Sequence, residues 1–317
     1  MLDYRLVEAF AAVIEEGGFD KAARRLHITQ SAVSQRIKQL EEQHGQVLLQ
    51  RTNPPRPTET GISLFRHYHQ VQHLEQDLSN GKTATPRSAY ATLALAINAD
   101  SLATWFFQVV QSFLREQKVV LDLHIDDQDQ THKLLQEGKV LGCITTRDSP
   151  LQGCRITPLG IMEYGLCCSP SFARSWFPQG FDLAAVEQAP VIRFNRQDGL
   201  NEQLFDRIFP GFPQDVPTFF VPSSEMFVTF IKEGLCYGIL PEQQSRSLLE
   251  SGELIDLLPG YGVKVELYWH CWNLRSELLE SFSKRFIDEV RRMLKSTGAD
   301  DNRGKRSIGY GGQEPIF

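Results

Sequence analysis

Long apolar runs, paired cysteines and catalytic signatures are missing from this sequence, and each absence removes a class of protein. No stretch reaches the roughly 18 consecutive apolar residues of a membrane span. Met1, Leu2, Asp3, Tyr4 and Arg5 lead straight into an amphipathic pattern instead of a charged start and a hydrophobic core. Neither a span nor an export signal is therefore expected, and the expected compartment is the cytoplasm. Cysteine is sparse: Cys143, Cys154, Cys167, Cys168, Cys236 and Cys271 make no C-x-x-C pair and no zinc-like spacing with histidine. They are expected to be reduced, with Cys143 and Cys236 buried in apolar runs; a redox-sensing thiol is the alternative. There is no G-x-S-x-G, H-E-x-x-H, G-x-x-x-x-G-K-[ST] or strand-borne G-x-G-x-x-G. No catalytic residue, metal or cofactor is expected. His69 and His73 stand four apart on a helical stretch but have no third ligand in view.

What is present fits a multidomain globular protein. The 317 residues carry 41% hydrophobic and 23% charged side chains, enough for two or three domains with their own cores. A net charge of -6 argues against a nucleic-acid binder. The distribution reverses that argument: between Lys21 and Thr58 seven cations face two acids, a local +5. Local positive charge is what phosphate contacts need.

The cations surround one stretch. From Thr29, a good N-cap, to Leu40 the apolar residues Val33, Ile37 and Leu40 make one helical stripe, while Ser31, Ser34, Gln35 and Lys38 make another. The polar stripe has hydroxyls, amides and a cation but no carboxylate, the groups that bond base edges and phosphates; a merely solvated face is the bland alternative. A short helix precedes it, with Ala22, Ala23 and Leu26 turned inward and a three-residue turn, His27 to Thr29, between. That is helix-turn-helix spacing. A first helix of Leu6, Ala9, Phe10, Val13 and Ile14 backs the pair. Beyond it, Val47 to Leu49 and Arg56 to Thr58 flank Pro54 and Pro55 as a wing. Lys21, Arg24, Gln30, Ser31, Ser34, Gln35, Lys38, Arg51 and Arg56 are the expected DNA-binding residues.

These residues resemble the LysR family of bacterial transcriptional regulators. The match runs through Phe10-x-x-Val13, Gly18-Phe19, Ala22-Ala23-x-x-Leu26, Thr29-Gln30-Ser31-Ala32-Val33-Ser34, Ile37-x-x-Leu40-Glu41 and Gly45-x-x-Leu48-Leu49-x-Arg51. The stretches 54–59 and 98–105 look most like the subgroup described as arginine-export regulators and inhibitors of replication initiation. In one respect the chain departs: many members have Arg then Gln after the recognition-helix Ser, whereas here Gln35 precedes Arg36. Gln favours adenine and Arg guanine, so target sequence does not carry over.

The expected organisation is a winged helix-turn-helix domain at 1–59, a linker helix at 60–80, a hinge at 81–90, an effector domain at 91–296 and a disordered tail at 297–317. Leu64, Tyr68, Val71 and Leu78, with Glu75 in the row, form a seam of 3.5-residue period. Packing within the subunit is open, but the resemblance implies a dimerising helix, in a homodimer or homotetramer. The fold class is thus an all-α winged helix-turn-helix joined to an α/β, two-lobed, periplasmic-binding-protein-like domain. Lobe I is expected at 91–161 and 263–296, lobe II at 162–262. Strands at 92–97, 119–125, 141–145, 164–168, 191–194, 218–221, 237–240 and 263–270 are separated mostly by helices, which implies parallel pairing.

Ligands of such lobes sit at strand ends, near helix N-termini. Two junctions stand out: Asn98, Asp100 and Ser101 in one lobe, and Ser223, Ser224 and Glu225 in the other. Thr145, Thr146 and Asp127 end further strands. Each serine read alone is equally an N-cap, and each acid a partner of the helix dipole. Together they favour a zwitterion, and the subgroup resemblance implies lysine or arginine as effector. The expected partners are double-stranded promoter DNA and this effector, with RNA polymerase a further candidate and no membrane. A cytoplasmic solute-binding protein and a replication-origin binder without effector control are the alternatives.

Overall fold

The structure, a computed structural model, describes residues 2–80, 90–126, 131–209 and 215–295. The expected hinge, apart from Tyr90, falls outside these residues, as do Asp127, the side chain of Leu78 and the tail expected from 297.

The N-terminal domain is built from local signals. Helix α1 (Tyr4–Glu16) is capped by Asp3, which accepts from the Arg5 N–H at 3.0 Å, and ends on Gly17 at φ 66°. It buries Leu6, Val7, Phe10 and Val13 against α2 (Phe19–Arg25) and α3 (Gln30–His44). Between α2 and α3 the turn puts His27 at φ 54°, the conformation that makes the reversal tight. Thr29 caps α3 by accepting from the Ala32 N–H at 3.2 Å, Gly45 closes it, and Val33, Ile37 and Leu40 are buried.

The wing is a two-stranded antiparallel hairpin, β1 (Leu49–Gln50) with β2 (Arg56–Pro57). Its placement rests on Glu41, whose Oε1 accepts from the N–H groups of Leu48 and Leu49 at 2.9 and 3.2 Å. Thr58 then starts the linker helix α4 (Glu59–Asn80): its hydroxyl donates to the Val47 carbonyl and accepts from the Gly61 N–H. Gly61 is required there, since a Cβ would stand 2.1 Å from the Leu48 carbonyl oxygen.

Two of the four expected seam residues on α4 are engaged within the subunit. Leu64 and Tyr68 are buried in the winged-helix core of their own subunit, with Phe65, and are not free to form a seam. A heptad-like period shows that a helix has an apolar stripe, not which neighbour meets it. Val71, half-buried, remains on the row. His69 is also engaged, 3.2 Å from Glu15 and edge-on to Phe65.

The second domain runs β3 (Ala91–Asn98), α5 (Ala99–Ser101) continued by a π-helical turn at Leu102–Phe106 into α6 (Phe107–Glu116), β4 (Val119–Asp126), α7 (Thr131–Gln136) and β5 (Gly142–Thr145). It continues β6 (Cys154–Cys168), α8 (Pro170–Trp176), α9 (Leu183–Gln188), β7 (Val191–Arg193), α10 (Leu200–Ile208), β8 (Thr218–Phe220), α11 (Ser224–Lys232) and β9 (Gly238–Pro241). Last come α12 (Glu242–Glu250), β10 (Ile255–Asp256), β11 (Val263–Trp272) and α13 (Glu277–Met293).

The pairing is mixed, not parallel throughout. In the sheet β10-β6-β11-β5-β3-β4 the strand β3 pairs parallel with β4 and β5, and in lobe II β7 pairs parallel with β8. By contrast β11 runs antiparallel to both β5 and β6, and β9 antiparallel to β6. The helix-crossover rule holds inside each lobe and fails where the chain passes between them. That passage is made by two long continuous strands, β6 and β11, so the expected boundary at 161/162 falls inside a strand. Trp105, Phe106, Trp269, Phe282 and Phe286 fill the core between lobe I's sheet and helices α6 and α13. The linker helix meets lobe I where Gly138 backs onto Arg66, whose guanidinium lies 5.6 Å over the Trp272 ring.

Candidate functional site: a DNA-facing surface and an interlobe cavity

The first site is a surface concavity lined by Gln30, Ser31, Ser34, Gln35 and Lys38 of α3 and Arg51 of the wing. The buried stripe of α3 fixes its rotation, so the first two turns present hydroxyls and amides outward. Lys21 and Arg24 are exposed on α2 and Arg56 on β2. They flank the concavity without lining it. Lys38 is 3.7 Å from Glu42 in an exposed pair, which phosphate competition breaks at little cost. Arg36, half-buried, lies off this lining. The surface therefore combines hydroxyls and amides, the kinds of group that bond base edges, with cations, the kind that bond phosphates, at helix-turn-helix geometry.

The second site lies between the lobes. A cavity of about 40 Å³ is lined by Asn98, Asp100, Phe194, Asp198, Asn201 and Phe227, among others. Asp100, in the first turn after β3, accepts from the Tyr164 hydroxyl at 2.9 Å and from Ser224, the first residue of α11. It thus joins lobe I, the crossing strand β6 and lobe II. Asp198 accepts from the N–H groups of Phe194 and Leu200 at 3.0 and 3.2 Å and so shapes the turn into α10.

Burial pushes the Asp100 carboxyl up, the negative charge of Asp198 adds to that, and the bonds from Ser224 and Tyr164 only partly oppose it. Burial likewise raises Asp198, against the two backbone N–H groups. No Lys, Arg or His is among the described lining residues. Arg193, the nearby cation, is bonded to Glu202. The amide oxygens of Asn98 and Asn201 are buried without a hydrogen-bond partner. Acceptors dominate this cavity, which suits a ligand rich in N–H donors.

The expected effector residues divide. Asn98 and Asp100 line the cavity, and Ser224 touches it through Asp100. Ser101 does not cap the helix: it is fully buried, its hydroxyl turned to the Met162 sulfur at 3.7 Å, because Asn98 already occupies the cap position. Ser223 is the cap of α11, accepting from the Met226 N–H at 3.4 Å. Glu225 is exposed in the first turn of α11 and off the cavity, the position the helix dipole alone favours. Thr145 is buried, with its hydroxyl accepting from the Arg147 N–H, and Thr146 lines a different depression with Lys264 and Glu266. Asp198 and Asn201 went unnoticed in the sequence. Their one local signal is Asp198-Gly199 at a helix start, which reads as a turn.

A helix-turn-helix with a wing, a linker helix and a two-lobed domain around a polar cavity define a ligand-responsive DNA-binding regulator. The chain belongs to the LysR family: residues 4–62 match the lysR-family bacterial regulatory helix-turn-helix protein, and residues 88–295 the LysR substrate binding domain. It is 41% identical to the HTH-type transcriptional regulator ArgP of Aeromonas salmonicida, over 92% of this chain and 98% of that one. Among solved structures it is similar to ArgP from Mycobacterium tuberculosis, with 38% identity and a TM-score of 0.81 over 94% of this chain and 100% of that one. It is also similar to full-length LysG from Corynebacterium glutamicum with bound effector Arg, with 32% identity and a TM-score of 0.73 over 93% and 100%. Among the described residues no helix is long and apolar enough to cross a membrane, and no group of three or more His, Cys, Asp or Glu is placed to hold a metal.

Proposed function

We propose that this LysR-family regulator acts in the cytoplasm, without catalysis, and binds promoter operators as a homodimer or homotetramer under the control of a basic amino acid, lysine or arginine. The observation that carries the effector is the cavity between the lobes: Asp100, Asp198, Asn98 and Asn201 line it, the two amide oxygens are buried without a partner, and there is no cation among the described lining residues. A guanidinium offers five N–H donors and an ammonium three, so either matches such a lining. The similarity to LysG with bound effector Arg supports the same assignment. At about 40 Å³ the cavity takes roughly three waters and not an amino acid. On this reading binding parts the lobes, loosening the Ser224 to Asp100 bond. The movement reaches DNA through the linker helix, which leans on lobe I at Gly138 and Trp272. RNA polymerase is a partner of this reading once the dimer sits at a promoter.

The test is a footprint on genomic fragments with and without each amino acid. A protected site whose extent or affinity changes with lysine or arginine, and not with a neutral amino acid, is the expected outcome. Identical footprints under all conditions would remove the effector from the reading.

A further inference from the structure

Two carboxylates line one small cavity, and there is no cation among its described lining residues. Asp100 faces the hydroxyls of Tyr164 on β6 and Ser224 on α11; Asp198 faces the N–H groups of Phe194 and Leu200. The other described charged groups acting on Asp198 are Glu202, which raises it, and Arg193, which lowers it; the two are bonded to each other, and burial outweighs both. Among the described residues the cavity's remaining polar lining is Asn98 and Asn201, 3% and 2% exposed, each with its Oδ1 unpartnered. Two carboxylates that line one buried cavity repel each other, and burial disfavours the doubly charged state until a counter-charge enters.

We propose that the effector-free cavity holds a proton on its Asp100–Asp198 pair and that the effector's cationic group takes that proton's place, so that effector binding is linked to proton release. The proton leaves to solvent as the ammonium or guanidinium arrives, and the net charge of the cavity is the same before and after. The amide oxygens of Asn98 and Asn201 then accept N–H bonds from the incoming cation. Raised carboxyls on both aspartates agree with this exchange. The inference rests on the basic-effector reading and adds its regulation: acid weakens the response, because protons compete with the effector for the same pair.

The experiment is calorimetry of the full-length protein with arginine and with lysine, from about pH 5 to about pH 7, in buffers of different ionisation heat. The expected result is release of up to about one proton per site, with affinity rising by up to about tenfold per pH unit while the pair is protonated. Asp198→Asn is expected to weaken binding at least about tenfold near pH 7 and to flatten the pH dependence. Its melting curve shows whether it folds; if it does not, the proton count of the unaltered protein decides alone. Binding of arginine with no proton release and a flat pH profile overturns the exchange while leaving the effector assignment standing. No binding of either amino acid, by protein that still binds DNA, overturns both.

Discussion

Glu15 on the first helix lies 3.2 Å from His69 Nε2 on the linker helix, and its other oxygen bonds Arg25 of the helix-turn-helix. One carboxylate thus ties α1, α2 and α4 together. Burial by itself pushes Glu15 up, but the bonds and charges of His69 and Arg25 outweigh it and hold the group below the ordinary glutamate value.

The sign of the pH dependence follows. A depressed carboxylate stabilises the fold fully above its unfolded value, about 4.3, and the contribution disappears as pH falls through the folded value. Glu15→Gln is therefore expected to cost about 1 kcal/mol or less at neutral pH, given the partial exposure of the pair, and progressively less as pH falls below about 4.3. Denaturant melts of both proteins at neutral pH and across the acid range check this.

On the DNA side, Gln35→Ala is expected to cost about 1 to 3 kcal/mol of discrimination at one base position. Arg51→Ala is expected to weaken all sequences alike and lower the salt slope by about one unit. Titrations of operator variants at several salt concentrations separate the two; an unchanged ranking with Gln35→Ala would show that this face does not read bases.

Leu64→Ala is expected to destabilise the fold by about 2 to 5 kcal/mol, since the side chain fills the winged-helix core. Val71→Asp, placed outside that core, is expected to leave the melting temperature nearly unchanged and to dissociate the dimer. Sedimentation combined with thermal melts distinguishes a core position from a seam.

Gly61→Ala brings a methyl group against the Leu48 carbonyl, a backbone atom that cannot swing aside. The expected cost is about 1 to 3 kcal/mol, with the wing displaced from the start of α4 and operator affinity reduced. A crystal structure or hydrogen exchange at Leu48 and Thr58 follows the displacement.

The sequence by itself determined the elements whose causes are local. Asp3, Thr29, Gly17 and Gly45 bound their helices because caps satisfy backbone groups within a turn, and Val33, Ile37 and Leu40 face inward because a period of 3.6 residues leaves no other face. The outward polar stripe was legible for that reason: once one stripe is buried, Ser31, Ser34, Gln35 and Lys38 must point out. Tertiary structure decided whatever depends on a distant partner. The stripe of Leu64 and Tyr68 looks the same whether it meets a second copy or its own domain, and here it meets its own. The antiparallel pairing of β6 with β11 joins segments separated by most of lobe II, which no local pattern encodes. Asp100 and Asp198 come from different lobes as well, and each alone reads as an ordinary acid beside a helix start. Only when β6 and β11 carry the chain across and back do the two carboxylates face one cavity, where burial and mutual repulsion turn two unremarkable side chains into a site that asks for a cation.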